Sequence, residues 1–218
     1  MTVTLAHRTA GDPAHPPLVL LHGLGDDGAE WEPLLPELAR AHHVHALDLR
    51  GHGDSPHPGD YSFELMRDDV LAHLDTAGIA TCVLLGHSMG AVVATLVAQA
   101  APHRVTRLVL EDAVAPRPGA LHRPPIATPD EPTPFDFAAV HAIRAQLDAP
   151  DPAWWDRTPA LATPTLIIGG DQSPIPRDLL TDAAALMPEA RFTLIPAGHY
   201  PHRDAPAAFL SEVTAFLS

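Results

Sequence analysis

Gly86-His87-Ser88-Met89-Gly90 sets a serine between two glycines, each two residues away. The apolar run Cys82-Val83-Leu84-Leu85 precedes it, and the helix-like Ala91-Val92-Val93-Ala94-Thr95-Leu96-Val97 follows. This pattern predicts strand, sharp turn and helix, with Ser88 at the apex. A side chain there takes a strained backbone, and the glycines leave room where strand and helix nearly collide. The chemistry is nucleophilic attack beside a helix N-terminus whose N–H groups can face an oxyanion. A serine hydroxyl is a poor nucleophile at neutral pH and needs a base within hydrogen-bond reach. Of the 15 histidines, His199 is the candidate. It follows the last predicted strand and the turn Pro196-Ala197-Gly198, and it precedes the final predicted helix. That order puts it on a loop at the same sheet edge as Ser88. His202 is a nearby competitor.

The elements that must position these residues alternate along the chain. Apolar, β-branched runs predict strands over residues 3–7, 18–22, 43–48, 82–86, 107–111, 165–169 and 191–195. Helical periodicity predicts helices over 31–41, 62–77, 89–101, 135–147, 177–187 and 206–217. Such alternation implies an α/β fold, a doubly wound and mostly parallel sheet with helices on both faces. Catalytic residues in these sheets gather beyond the carboxyl ends of the strands, where Ser88 falls. Residues 113–163 break the rhythm. Pro116, Pro118, Pro124, Pro125, Pro129, Pro132 and Pro134 cannot lie inside regular elements. Phe137, Val140, Ile143, Arg144 and Leu147 then recur at helical spacing, followed by Pro150-Asp151-Pro152-Ala153-Trp154-Trp155. The segment reads as a short, proline-rich lid inserted in a single domain spanning residues 1–218. Phe137, Trp154 and Trp155 are its candidate substrate contacts, with anchoring to the core as the competing role for the tryptophans.

Composition narrows the partners. A chain of 218 residues with 46% hydrophobic content suits one domain with a sizeable core. A formal charge of −14 argues against nucleic acid and anionic membrane surfaces, both of which repel it. No apolar run reaches the roughly 20 residues that span a bilayer, and the first residues lack the basic-then-apolar order of a signal peptide. The single cysteine, Cys82, allows no intramolecular disulfide, which fits a reducing compartment and a cytoplasmic location. Lysine and asparagine are absent, a usage expected of a GC-rich bacterial genome. The expected partner is a small ester-like molecule bound by a monomer or homodimer.

His22-Gly23-Leu24-Gly25, Asp48-Leu49-Arg50-Gly51-His52-Gly53-Asp54-Ser55, the Ser88 turn and Ala197-Gly198-His199 occur in this order. Together they resemble the α/β-hydrolase superfamily from Leu18 onward. The resemblance implies an eight-stranded sheet, a Ser–acid–His triad and a cap over the site, on a chain that starts inside the opening β-hairpin and carries a small cap. It implies Ser88 as nucleophile, His199 as base, and an oxyanion hole from the backbone N–H groups of Leu24 and Met89. Dehalogenases and epoxide hydrolases of the family use an aspartate at the elbow, where this chain has serine. The implied activity is cofactor-independent hydrolysis of an ester or lactone, with thioester cleavage open, on a small and largely apolar substrate. The alternatives are perhydrolysis, C–C bond hydrolysis, or ligand binding with little turnover on the same fold.

The acid has two candidates. The family places it after the seventh strand, in a glycine-x-x-aspartate pattern before proline; here Gly169-Gly170-Asp171-Gln172-Ser173-Pro174 brings serine to that position. Some members place it after the sixth strand, where this chain has Glu111-Asp112. Strand alternation sends these two side chains in opposite directions, and Asp112, first past the strand, is preferred over Asp171. No resident metal is expected. His43 and His45 share a strand face near His42, but no cysteine or carboxylate stands at zinc-ligand spacing around them. His87, next to the nucleophile, reads as a packing neighbour.

Overall fold

The computed structural model describes every residue from Met1 to Ser218. Its strands are β1 (His7–Ala10), β2 (Pro17–Leu21), β3 (His43–Leu47), β4 (Cys82–His87), β5 (Val105–Glu111), β6 (Thr165–Gly170) and β7 (Ala190–Ile195). They form one sheet in the order β1-β3-β2-β4-β5-β6-β7. All pairings are parallel except that of β1 with β3. The helices are α1 (Leu35–Leu38), α2 (Phe63–Thr76), α3 (Met89–Ala100), α4 (Phe137–Asp148), α5 (Pro152–Asp156), α6 (Arg177–Leu186), α7 (Pro201–Asp204) and α8 (Pro206–Leu217).

Successive strand residues point to opposite faces, and the core divides accordingly. Val19, Leu21, Leu84, Leu108, Leu110 and Ile167 join a cluster of 34 buried side chains that includes residues of α2, α3 and α6. Leu18, Leu20, Val83, Leu85, Val109, Leu166 and Ile168 join one of 16 on the other face, under Trp31, Leu38, Phe209 and Val213. Both faces are therefore dry, which explains why these strands read as unbroken apolar runs.

Three expectations are corrected. The sheet has seven strands rather than eight, because a single antiparallel strand stands at the β1 edge where a hairpin would supply two. That strand begins at His7 instead of residue 3: the Val3 N–H donates to Asp69 Oδ1 and the Ala6 N–H to Ser55 Oγ, so neither joins the ladder. The helix expected over 31–41 is a 3-10 turn (Gly28–Trp31) followed by the single turn of α1. Pro33 and Pro36 remove the backbone donors a continuous helix needs.

Residues 113–136 contain no helix or strand, as their prolines dictate, and α4 and α5 follow. Asp136 and Asp151 cap these two helices by accepting from Ala138 N and Ala153 N, both at 2.9 Å. Glu64, in the first turn of α2, ties the segment down: one carboxylate oxygen accepts from Gln146 Nε2 at 2.9 Å and the other from Trp154 Nε1 at 3.1 Å. Asp136 adds two links, accepting from the Tyr61 hydroxyl at 2.5 Å and donating its N–H to the Gly51 carbonyl at 2.7 Å. No helix is long and apolar enough to cross a membrane.

Candidate active site

Ser88 sits between β4 and α3 with φ 50° and ψ −112°. The turn holds because its N–H donates to the Glu111 carbonyl at 2.9 Å and the Gly90 N–H to the His22 carbonyl at 3.1 Å. The flanking glycines are obligatory here. A Cβ on Gly86 would lie 2.3 Å from the Gly90 oxygen, and one on Gly90 would lie 2.2 Å from the Leu21 oxygen.

His199 follows β7, and its Nε2 lies 2.9 Å from Ser88 Oγ. Its Nδ1 lies 2.6 Å from Asp112 Oδ2. Asp112 is fully buried and takes φ 49°, a left-handed conformation that aspartate tolerates and that turns it off the end of β5. Its Oδ1 accepts from the Gly170 N–H at 3.0 Å, and its Oδ2 also accepts from the Ser173 hydroxyl. With only donors around it, this carboxyl is set to accept, so the His199 proton belongs on Nδ1 and the Nε2 lone pair faces the serine. Asp171 is exposed, and its Oδ1 accepts from the Ala197 N–H at 3.2 Å. The structure thus brings Asp112 to His199 and leaves Asp171 bracing the loop before it. Ser173, which stands where the family pattern expects an acid, donates instead to Asp112.

Leu24 and Met89 both line the cavity over Ser88. Met89 opens α3, and first-turn N–H groups have no partner within their own helix. The Leu24 N–H is directed by His22. Buried and held near a pKa of about 4 by desolvation, His22 is neutral; its Nε2 accepts from the Leu49 N–H at 2.9 Å, so its Nδ1 donates to the Gly23 carbonyl at 2.7 Å. The Gly23 carbonyl and Leu24 N–H belong to one planar trans peptide and point in opposite directions. Fixing the one therefore aims the other.

The cavity measures about 290 Å³, at the small end of ligand sites. Its wall is apolar on most sides, with Val92, Val114, Leu121, Leu147, Ile175 and Leu179, while Arg123, Arg144 and Tyr200 supply polar atoms. The three aromatic residues expected to contact substrate are not in this wall. Trp154 is buried in the core against Phe63, with ring centroids 5.3 Å apart. Trp155 lies under the Arg117 guanidinium at 5.4 Å, and Phe137 lies against Phe135 and His141. Burial is worth most to large aromatic side chains, and the two tryptophans anchor the segment to the core, whereas Phe137 packs within the segment itself. The lining residues Arg144 and Leu147 were visible in the helical spacing of α4, whereas Leu121, Pro174 and Ile175 lie in loops without a periodic signal.

Behind the site, a buried polar group supports the His199 loop. His87 Nε2 donates to the His199 carbonyl at 2.9 Å, leaving Nδ1 to accept from Glu30 Oε1 at 3.1 Å. That arrangement requires a protonated Glu30, and burial raises its pKa to about 8. Glu111 is likewise raised to about 8 by burial and accepts from the His202 N–H at 2.7 Å and Nδ1 at 2.9 Å. His202 therefore holds α7 in place and does not face Ser88. Glu30, His87 and His202 lie close enough to suggest a metal cage, but His87 spends both ring nitrogens on the bonds just described.

The family profile described as alpha/beta hydrolase fold matches residues 16–141, more than half of the chain. The mouse sn-1-specific diacylglycerol lipase ABHD11 is 28% identical, over 95% of this chain and 83% of its own length. A pimeloyl-[acyl-carrier protein] methyl ester esterase from Aliivibrio salmonicida is 38% identical over half of this chain and 40% of its own length. The crystal structure of an enol-lactonase from Burkholderia xenovorans LB400 superposes with a TM-score of 0.86 at 23% identity, covering 99% of this chain and 96% of the other. A strand–elbow–helix built this way, on a sheet in this order, matched over this much of the sequence, makes the chain an enzyme of the α/β-hydrolase family.

Proposed function

We propose that this chain is a serine hydrolase that cleaves an ester or lactone of a small, largely apolar acid through an acyl-enzyme. The observation that carries the reading is the unbroken relay from Ser88 Oγ through His199 to buried Asp112, at 2.9 Å and 2.6 Å. In this mechanism Ser88 Oγ attacks the carbonyl carbon while His199 Nε2 takes the hydroxyl proton. The oxyanion rests on the N–H groups of Leu24 and Met89 at the positive end of α3. Collapse breaks the ester C–O bond, and His199 returns its proton to the leaving alkoxide. Water then attacks the acyl carbon while His199 takes its proton, and the bond to Ser88 Oγ breaks as His199 hands that proton to Oγ, which releases the acid and restores the hydroxyl. Every proton moves between this chain, substrate and water. Thioesters would follow the same path.

The apolar wall supports a hydrocarbon acyl group, and the cavity volume supports a short or compact one. Residues 113–163 act as a small lid within the single domain, contributing Leu121, Arg123, Arg144 and Leu147 to that wall. We assign the enzyme to the cytoplasm on its single free cysteine, Cys82, which fits a reducing compartment. The test is labelling by a fluorophosphonate probe, together with turnover of aryl esters, lactones and acyl-thioesters of graded chain length. Labelling and turnover that vanish in Ser88→Ala are expected. A wild-type chain that neither labels nor turns over any of these would refute the enzyme reading in favour of ligand binding alone.

A further inference from the structure

Three histidines far apart in the sequence meet on the opposite side of β3 from the elbow strand. His7 begins β1, His45 lies within β3, and His73 lies in the last turn of α2. Antiparallel pairing sets His7 opposite Leu47 and Thr9 opposite His45, so His7 and His45 share a sheet face two positions apart. Helix α2 lays His73 over them: the His7 and His73 rings meet edge to face at 4.7 Å, and His45 and His73 at 5.7 Å. Each of the three can offer one ring nitrogen such that all lie within 4.8 Å of one another.

Packing alone does not account for the polar atoms. His45 and His73 are 5% and 8% exposed, and His45 Nδ1 and His73 Nε2 are buried with no hydrogen-bond partner. Buried ring nitrogens are normally satisfied, so these two orphans ask for an occupant. The other nitrogen of His45 is already fixed: Nε2 lies 3.2 Å from His43 Nδ1. That is the arrangement in which a second residue orients a metal-binding imidazole. A cavity of about 330 Å³ bordered by Thr4, His7, His73 and Thr76 supplies an entry path and room for a water ligand.

We propose that His7, His45 and His73 form a binding site for a borderline divalent cation, of the class of Zn2+, Ni2+ and Cu2+, remote from the hydrolytic centre. Imidazole donors without carboxylates select these ions over Mg2+ and Ca2+. Three histidines with an open fourth position complete a tetrahedron with one water. Metal–nitrogen bonds near 2.1 Å place neighbouring ligand atoms about 3.4 Å apart in that geometry. Exposed His7, at the end of an edge strand, can make most of that approach. The bound ion would pin the first strand to β3 and α2, and the net charge of −14 favours its capture. Sequence spacing conceals the site because each ligand comes from a different element.

The experiment is Zn2+ titration of the tag-free chain by calorimetry at pH 7.5, with Co2+ absorption as a reporter of coordination. One ion per chain is expected, with a tetrahedral Co2+ spectrum and a Tm that rises with added Zn2+. His7→Ala, which removes an exposed side chain, and His73→Gln should each weaken binding by more than about 100-fold, and His43→Ala by about 10–100-fold. Aryl-ester turnover of His7→Ala should equal that of the wild type. Absence of Zn2+ binding at about 0.1 mM would overturn the proposal, and so would binding that persists unchanged in both His7→Ala and His73→Gln.

Discussion

Replacing Asp112 by asparagine exposes how a single proton position governs this site. Asp112 Oδ1 accepts from the Gly170 N–H at 3.0 Å, a backbone donor that cannot reverse its role. The asparagine carbonyl must therefore stay on that side. Its NH₂ group then faces His199 Nδ1 and the Ser173 hydroxyl. Ser173 can rotate to accept, because its oxygen has a free lone pair beyond the one that accepts from Ile175 N. His199 has no such freedom: to meet an NH₂ donor, Nδ1 must lose its proton, and the proton then resides on Nε2. An Nε2–H facing Ser88 Oγ cannot receive the hydroxyl proton. The geometry survives and the base is lost, a combination that lowers turnover about 10⁴-fold, or about 5 kcal/mol of barrier. Asp171→Asn changes an exposed group that accepts one backbone N–H at 3.2 Å, so its turnover should stay within about threefold of wild type. The assay is kcat on one aryl ester for both variants, with circular dichroism to establish folding. An Asp112→Asn enzyme that keeps more than about a tenth of wild-type kcat, beside a collapsed Asp171→Asn, would refute the reasoning.

Three further outcomes follow from the surroundings of the site. His22→Phe frees the peptide that aims the Leu24 N–H and should lower kcat by up to about 10² with KM near wild type; kinetics normalised to folded protein separate this from a stability defect, which would leave kcat intact. Arg123 on the cavity wall is paired with Asp148 at 3.0 Å, whereas Arg144 donates to the Pro124 carbonyl and meets no carboxylate. Arg144→Met should therefore raise KM about tenfold for esters whose acyl chain ends in a carboxylate and leave neutral esters within about twofold, and equal effects on both would contradict the role. Burial holds the folded-state pKa of His22, His45, His73 and His202 at about 4 and of His52 at about 3. The unfolded chain, with values near 6.5, takes up these protons first as pH falls, so the stability present above about pH 6.5 is progressively lost toward pH 4. Thermal melts across that window should show a falling Tm, and a flat profile would disprove the linkage.

The alternation of strands and helices was legible because both faces of the sheet are covered, which writes each strand as an apolar run and each helix as a separate period. That Ser88 and His199 share an edge was legible for the same reason: both follow strands of one parallel sheet. What resisted reading was whatever depended on loops meeting across strands. Asp112 and Asp171 both sit just beyond strand ends in the right chain order, and only the left-handed turn at Asp112 and the Gly170 N–H separate them. Glu30 carried no signal, since its partner His87 is 57 residues away. The tryptophans misled because a large aromatic in a proline-rich segment suits either an anchor or a pocket, and burial decided for the anchor. The edge strand began late because side-chain acceptors outcompeted the ladder for its first N–H groups.

The double grip of Glu64 on Gln146 and Trp154 has a consequence for how this enzyme could change its diet. It welds α4 and α5 to α2, which packs on the elbow helix, so the wall formed by Met89, Val92 and Leu147 travels as one piece with Ser88. The opposite rim at Leu121 hangs on a loop outside that weld, whereas Pro174 and Ile175 follow Ser173, whose hydroxyl donates to Asp112 and accepts from the Ile175 N–H. Mutations at Leu121 can reshape the cavity while Ser88, His199 and Asp112 stay aligned. Heritable shifts in substrate range should accumulate on that rim, and those at Glu64 should be purged for their effect on the whole scaffold.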